Sequence, residues 1–151
     1  MMQREVAERL VAAVGSPAYG VPSLLFQLYA RVIGRFRVPA SAFYPRPQVT
    51  SEVLRLAIAP EPRVAVRDPW LFGAIVRAAF NQRRKMLRNA LQSLPPRAAL
   101  PPAVWESIFA STGVDGRARG ETLDVVAFAA ITDAARQELA AAQAPARRPR
   151  R

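Results

Sequence analysis

The segment Ala59-Pro60-Glu61-Pro62 separates two parts of the sequence that have different hydrophobic periods. Before it, residues 32–38 and 49–58 alternate apolar and polar side chains, as half-buried β-strands do. Beyond it, apolar residues recur at helical spacing. Because two prolines stiffen this segment and lack backbone N–H donors, neither kind of element continues through it. The sequence therefore predicts an α/β part over residues 1–59, a small all-α domain over residues 60–142 and a disordered basic tail over residues 143–151.

The α/β part has too few elements to cover its own apolar faces. Helices are predicted over residues 4–14 and 19–29, and the two strands are predicted to form an antiparallel pair. Two strands and two helices rarely make an independent core. The apolar side chains that need further partners are Val6, Leu10, Leu24, Leu25 and Leu28. We therefore predict an incomplete α/β unit.

The all-α domain begins with a strong helix start at Asp68-Pro69-Trp70, because Asp is a favoured N-cap and Pro a favoured first helical residue. That helix is predicted to reach Phe80, and further helices follow over residues 83–94, 102–111 and 122–142. The side chains predicted to face the core are Trp70, Leu71, Ala74, Ile75 and Ala78 on the first helix, Phe80, Leu87, Ala90, Leu91 and Leu94 around the second, and Leu123, Ala127, Ala130, Ile131 and Ala134 on the last.

The charge of the chain favours a polyanionic partner. There are 22 basic and 11 acidic residues, a net charge of +11, and Lys85 is the only lysine. Arginine binds phosphate oxygens through paired hydrogen bonds and stacks on bases, which suits nucleic acid. An ordinary arginine-rich surface is the alternative.

Composition also excludes several kinds of site. With no cysteine and no histidine, the chain cannot form disulfides, thiolate nucleophiles, the usual zinc sites or a Ser-His-Asp triad. Gly113, Gly116 and Gly120 follow no predicted strand and are predicted to be turn residues rather than a phosphate-binding loop. No apolar run approaches the ~20 residues that span a bilayer, and the chain turns acidic at Glu5 instead of beginning a secretory signal. We expect a cytoplasmic protein with no metal and no catalytic group of its own.

The first candidate binding site is the polar cluster between Asn81 and Asn89. On the predicted helix, Arg84, Lys85 and Arg88 share an outer face with Asn81, which could hold a phosphate backbone. The alternative is a solvated basic face on a core helix, although like charges this close repel each other and favour a partner.

The second candidate is the aromatic pair Phe43-Tyr44, which precedes Pro45 and Pro47. The prolines stiffen the backbone beside the aromatics, and a rigidly held ring can stack on an unpaired base. Simple burial of Phe43 is the alternative.

These motifs together resemble the rRNA adenine dimethyltransferases of the KsgA (RsmA) type. Residues 39–56 contain F-Y-P-R-P-Q-V-T-S-E-V-L-R-L, similar to that family's F-x-P-x-P-x-V-x-S-x-V-x-R-L. Residues 80–91, F-N-Q-R-R-K-M-L-R-N-A-L, nearly reproduce a second signature. Residues 3–10, residues 19–23 and residues 113–121 resemble the motifs Q-K-E-V-A-x-R-L, Y-G-x-L-S and G-I-D-x-x-x-R-A-E.

The resemblance covers about residues 1–135 and implies the carboxyl-terminal part of a Rossmann-like methyltransferase sheet followed by a helical rRNA-binding domain. Departures are mild: Gln48 and Thr50 replace a usual Lys and Asp, Val21-Pro22 interrupts one motif, and Gly120 replaces a usual Ala. Members transfer methyl groups from S-adenosylmethionine to the N6 atoms of two adjacent adenines in small-subunit rRNA. The family's glycine-rich turn, acidic cofactor residues and Asn-Leu-Pro-Tyr catalytic motif are absent from this sequence. We therefore expect no catalytic or cofactor-binding residue here, and no binding of S-adenosylmethionine by this chain alone.

The same resemblance assigns roles to both candidate sites. Phe43, Tyr44, Pro45 and Pro47 would form a wall of the target-adenine pocket. The residues that would hold rRNA are Asn81, Gln82, Arg83, Arg84, Lys85 and Arg88. The expected partner is small-subunit rRNA within the pre-ribosomal small subunit, bound by a monomer. A non-catalytic RNA-binding or ribosome-assembly module remains the alternative.

Overall fold

The computed structural model describes residues 1–143, which form two compact units. The first unit comprises Met1–Ala65 together with Glu121–Val125, and the second comprises Val66–Gly120 and the residues from Val126 onward. The predicted division at residues 59 and 60 stays a prediction. The predicted disordered tail lies, from residue 144, outside the described residues.

The first unit contains a three-stranded antiparallel sheet. Strand β1 spans Met2–Gln3, β2 spans Ala30–Val38 and β3 spans Ser51–Ile58, in the order β1-β3-β2. The predicted antiparallel pair is therefore confirmed, and β3 lies between the other two strands. A shift in register between Val32 and Gly34 marks a bulge in β2. Strand β1 was not predicted, because two residues are too few to show an alternation of apolar and polar side chains.

Two helices pack beside this sheet, and both are shorter than predicted. Helix α1 spans Arg4–Leu10 and α2 spans Val21–Tyr29. Gly20 is the N-cap of α2, and its N–H donates to Ser23 Oγ at 3.1 Å. The Ser23 hydroxyl donates in turn to the Arg9 carbonyl. These bonds connect the two helices and fix where α2 begins.

The core of the first unit is small. Ala7, Tyr19, Leu24 and Leu28 are buried. The Tyr19 hydroxyl donates to the Leu123 carbonyl at 3.0 Å, and burial, with a smaller effect of Asp124, raises the pKa of Tyr19 to about 12.

The prediction that five apolar side chains lack partners was only partly right. Leu24 and Leu28 find their partners within the unit, whereas Val6 and Leu25 are 45% and 41% exposed. Leu10 is partly buried.

The second unit is helical throughout. Helix α3 spans Pro69–Asn81, α4 spans Leu87–Ala90, α5 spans Pro102–Thr112 and α6 spans Val125–Gln143. The predicted start of α3 is confirmed, because Asp68 Oδ1 accepts a hydrogen bond from Leu71 N–H at 2.9 Å. Helix α6 begins three residues later than predicted, since Gly120–Thr122 form a separate 3-10 turn.

The predicted helix over residues 83–94 is wrong. Only Leu87–Ala90 is α-helical, and a 3-10 turn follows at Leu91–Ser93. The N–H groups of Leu87 and Arg88 donate to the carbonyls of Ala118 and Gly116 at 2.8 and 3.0 Å. Because a continuous helix would direct these donors to residues 83 and 84, the tertiary contact with the 116–118 turn prevents it.

The helical core also differs from prediction at Phe80, which is only partly buried, and in two further places. Trp70, predicted to be buried, is 37% exposed. On α6 the predicted alanines 127, 130 and 134 are only partly buried. The residues of α6 that are buried are Phe128, Ala129, Ile131, Thr132 and Ala135. An alanine-rich helix gives little information about which face is covered, because alanine occurs on both.

No helix within residues 1–143 is long and apolar enough to span a membrane.

Candidate nucleic-acid interface

The aromatic pair lies in the connection between β2 and β3 of the first unit. Ala40–Ala42 form a 3-10 turn, in which Ala42 N–H donates to the Pro39 carbonyl at 3.0 Å. Phe43 ends this turn with an extended backbone, and the Tyr44–Pro45 peptide bond is cis. The turn and the prolines thus present consecutive aromatic side chains on one loop.

The two aromatics have different surroundings. Tyr44 has a relative exposure of 102%, so nothing in the unit covers its ring. Phe43 and Pro47 are partly buried, whereas Pro45 is exposed. A fully exposed ring beside a partly buried one can accept a flat base without disturbing the core. The role of these four residues in a target-base pocket stays a prediction.

The basic cluster forms a loop rather than a helix face. Asn81 is the last residue of α3, and Lys85 N–H donates to the Gln82 carbonyl at 2.8 Å, closing a turn. An open groove of about 480 Å³ is lined by Phe80, Asn81, Gln82, Arg83, Arg84 and Lys85. We call residues 81–85 the basic loop. Arg88 lies on α4, where its Nη1 is 4.0 Å from Glu106 Oε1, so the predicted shared helix face of Arg84, Lys85 and Arg88 is wrong.

The basic loop keeps positive charge that acidic residues do not neutralise. Among residues 1–143, the side chains of Arg84 and Lys85 make no hydrogen bond or ion pair. In the first unit, by contrast, Arg35 pairs with the buried Glu52 at 2.5 Å. That hydrogen bond raises the pKa of Arg35. Adjacent unpaired cations on a groove are the arrangement that a phosphate backbone neutralises.

The glycines at positions 116 and 120 do not form a cradle for S-adenosylmethionine. A cofactor cradle needs glycines whose missing side chains leave room for a ligand. At Gly116 an added Cβ would lie 2.5 Å from the ring of Phe109, and at Gly120 it would lie 2.8 Å from Ala79 Cβ. Both glycines therefore serve close packing inside the helical unit and leave no room for a ligand. Nor do residues 1–143 group acidic side chains in a way that could hold a metal ion.

Trp70 and Arg97 were missed as candidates. The Arg97 guanidinium carbon lies 3.1 Å from the centre of the Trp70 ring. No sequence signal identified this pair, because a tryptophan at the start of a helix is ordinarily a core residue and Arg97 is 27 positions away.

A comparison with protein-family models identifies the class of protein to which this sheet, helical unit and basic loop belong. Residues 1–130 match the family model described as ribosomal RNA adenine dimethylase, and the chain belongs to this family. The resemblance seen in the sequence motifs is thereby confirmed.

Curated relatives are named as ribosomal RNA methyltransferases. The chain is 43% identical over 134 residues to "Ribosomal RNA small subunit methyltransferase A" of Clostridium perfringens strain 13, covering 89% of this chain and 46% of that protein. Its identity to the protein of that name from Pelotomaculum thermopropionicum is 43% over 135 residues, covering 88% and 44%. The chain thus spans about half the length of the curated relatives it matches.

A solved structure supports the fold. A dimethyladenosine transferase from Plasmodium falciparum superposes with a TM-score of 0.66 at 20% identity, covering 85% of this chain and 53% of that one. The predicted fold class, α/β followed by a helical part, is confirmed.

Proposed function

We propose that this chain is the RNA-binding, carboxyl-terminal part of a small-subunit rRNA adenine N6,N6-dimethyltransferase. The observation that carries the proposal is the family match over residues 1–130, together with relatives named as small-subunit methyltransferases. The complete enzyme would methylate two adjacent adenines during ribosome biogenesis in the cytoplasm, acting as a monomer on the pre-ribosomal small subunit. S-adenosylmethionine would supply the methyl groups from a site outside the described residues.

The first unit would hold the target base. An adenine must leave its stack before its N6 atom can react, and an aromatic ring compensates for the stacking energy of the duplex. The exposed ring of Tyr44 and the partly buried ring of Phe43 suit this role, since the turn at Ala40–Ala42 fixes the backbone from which they project. Orienting the amine is the contribution that this chain would make to the reaction.

The second unit would hold the RNA backbone. Arg84 and Lys85 line the groove of the basic loop without an acidic partner among residues 1–143. Phosphate contacts of this kind position an RNA without reading its sequence. They support a role in delivering the adenines rather than in choosing them.

Apolar surface on the first unit supports packing against more protein. Val6, Leu25, Ile33, Phe36 and Ile58 are between 41% and 74% exposed. A small unit that exposes this much apolar surface is typical of one end of a larger domain. The remainder of a methyltransferase sheet is the partner that we propose for it.

A non-catalytic RNA-binding or ribosome-assembly module is the second candidate. It requires no cofactor site, and the glycines at positions 116 and 120 pack against protein instead of leaving room for a cofactor. The two candidates predict different results for a chimera in which this chain replaces the matching half of the Clostridium perfringens relative. The measured quantity is methyl transfer. Transfer to unmethylated small subunits supports the enzyme, and binding without transfer supports the module.

The RNA role is tested by removing three positive charges, two in the basic loop and one at Arg88. We expect the triple variant Arg84→Ala, Lys85→Ala, Arg88→Ala to bind small-subunit rRNA more weakly. Its salt slope, log K against log salt, should fall by ~0.7 for each phosphate that the variant no longer neutralises, or by about 2 in total. Fluorescence anisotropy over a range of salt concentrations measures both quantities.

The matched control removes three exposed arginines from the first unit: Arg31→Ala, Arg55→Ala, Arg63→Ala. Both variants remove three charges from the net of +11. If affinity depended only on net charge, the two would weaken equally, and this result would contradict an interface at the basic loop.

A further inference from the structure

Trp70 is an exposed tryptophan with a cation on its ring. It is the second residue of α3, and the hydrogen bond from Leu71 N–H to the Asp68 cap fixes the turn that carries it. Arg97 lies over the ring at 3.1 Å, and the ring is 37% exposed. Pairs of this kind occur roughly once per 70–80 residues, so the pair alone indicates no ligand.

Two grooves meet at Trp70. One, of about 420 Å³, is lined by Trp70, Arg97 and Arg136 together with Asp68 and the end of α6. The other, of about 200 Å³, is lined by Trp70, Arg77, Asn81, Ser93 and Pro95, with two alanines of α3. Trp70 therefore forms the boundary between two open depressions.

The smaller groove continues to the basic loop. Asn81 lines both this groove and the groove of the basic loop. A continuous surface thus follows α3 from Trp70 to Asn81, a length of about 16 Å at 1.5 Å per residue. We call this surface the α3 track.

The charges along the α3 track are mainly positive. Arg77 and Arg97 make no ion pair with another residue among those described. Arg136 is partly neutralised, because its Nε lies 3.3 Å from Asp133 Oδ1, and Asp133 also pairs with Arg67 at 3.4 Å. Asp68, whose Oδ1 accepts the Leu71 N–H, is the acidic residue that lines the larger groove.

We propose that the α3 track binds a single-stranded segment of RNA that continues from the basic loop. A base stacks on the outer face of the Arg97 guanidinium, extending the Trp70–Arg97 pair to three layers. The backbone passes Arg77, which binds a phosphate, and reaches Asn81 and the basic loop. This inference rests on the proposed function, since it requires that the basic loop bind RNA.

The test compares a single-stranded, adenine-rich RNA with the blunt duplex formed by annealing it to its complement. The basic loop contacts phosphates and binds both, whereas only the single strand can offer a free base to Arg97. We expect Arg97→Ala and Trp70→Leu to weaken binding of the single strand at least ~5-fold and to leave duplex binding unchanged. Arg55→Ala, a lone exposed arginine in the first unit, is the control.

Intrinsic fluorescence supplies a second readout. The chain has two tryptophans, and Trp105 is only 2% exposed. Quenching by the single strand should therefore come from Trp70, and Trp70→Leu should abolish it. This measurement also detects a misfolded variant, because the emission of Trp105 would then shift to the red.

The outcomes separate the two proposals. If the triple variant of the cluster weakens both RNAs but the Trp70 and Arg97 variants behave as Arg55→Ala does, the α3 track is wrong and the basic loop stands. If the triple variant changes neither RNA, the proposed function fails at its RNA interface. Equal weakening of single strand and duplex by Arg97→Ala would reduce Arg97 to a phosphate-binding residue and also overturn the stacking proposal.

Discussion

Tyr44 and Phe43 are neighbours in the chain, but their side chains differ in how far the first unit covers them. The Tyr44 ring is fully exposed, whereas Phe43 is partly covered by its unit. An exposed aromatic side chain gains nothing from the hydrophobic effect in the free protein. Its stabilising contacts are therefore expected to come from a ligand.

We expect Tyr44→Ala and Phe43→Ala to affect RNA binding more than folding. Tyr44→Ala should leave the melting temperature unchanged, and Phe43→Ala should lower it only slightly. Each should cost about 1–3 kcal/mol of binding to adenine-rich single-stranded RNA, the usual effect of removing one base stack. Thermal melting and anisotropy on the same preparations measure the two effects.

Phe36→Ala is the matched control for this pair, since Phe36 is 61% exposed on β2. It should change neither quantity. A large fall in the melting temperature of Phe43→Ala, with RNA binding intact, would show instead that Phe43 is a core residue.

At the scale of elements, the sequence predicted what local chemistry decides. The start of α3 was correct because the Asp68 cap and Pro69 act within a single turn. The paired strands were correct because alternation survives over seven or more residues. The site could be predicted only as residues 81–88, because their backbone is set by hydrogen bonds to the 116–118 turn, about 30 positions away. The exposure of Trp70 could not be foreseen either, because Arg97, which lies over its ring, is 27 positions away.

Gly120 shows how closely two elements of the helical unit approach. An added Cβ would lie 2.8 Å from Ala79 Cβ and 3.1 Å from the Ala79 carbonyl oxygen, on α3. Gly120→Ala should therefore destabilise the protein by roughly 1–3 kcal/mol through overpacking. Ala79→Gly alone should cost about 1 kcal/mol, because glycine weakens a helix interior.

The double variant Ala79→Gly, Gly120→Ala is the informative one. Removing the Ala79 methyl group relieves the shorter contact, so the double should be more stable than the sum of the two single effects implies. Denaturant unfolding of the four proteins gives the coupling free energy. If the two effects simply added, the cost of Gly120→Ala would not come from contact with the Ala79 methyl group.

At the scale of the whole molecule, one segment of the first unit is far along the chain from the rest of that unit. Glu121–Val125 belong to the first unit, although the chain between Val66 and Gly120 belongs to the second. Gly15 N–H donates to the Glu121 carbonyl at 2.8 Å, and the Tyr19 hydroxyl donates to the Leu123 carbonyl at 3.0 Å.

The Tyr19 bond predicts a decrease of stability at high pH. The pKa of Tyr19 is raised by burial from 10.0 to about 12 in the folded chain. Since the folded state favours the neutral hydroxyl, this stabilisation is complete below pH 10 and disappears as the pH rises to about 12. We expect the free energy of unfolding to fall over that range more steeply in the wild type than in Tyr19→Phe, measured by urea denaturation at several pH values.

Tyr29→Phe serves as the control, because Tyr29 is 40% exposed. It should keep the wild-type pH dependence. If Tyr19→Phe kept it as well, the hydroxyl of Tyr19 would not be the group that titrates.

The segment Glu121–Val125 also determines where the chain can be cut. By connectivity the chain passes between the two units three times, after Ala65, before Glu121 and after Val125. A chain cut after residue 65 would lack the carbonyls that accept the Gly15 and Tyr19 donors, and the loss of these two hydrogen bonds would destabilise the first unit. No single cut therefore releases either unit whole, and an exchange of the helical unit between relatives would need three junctions instead of one.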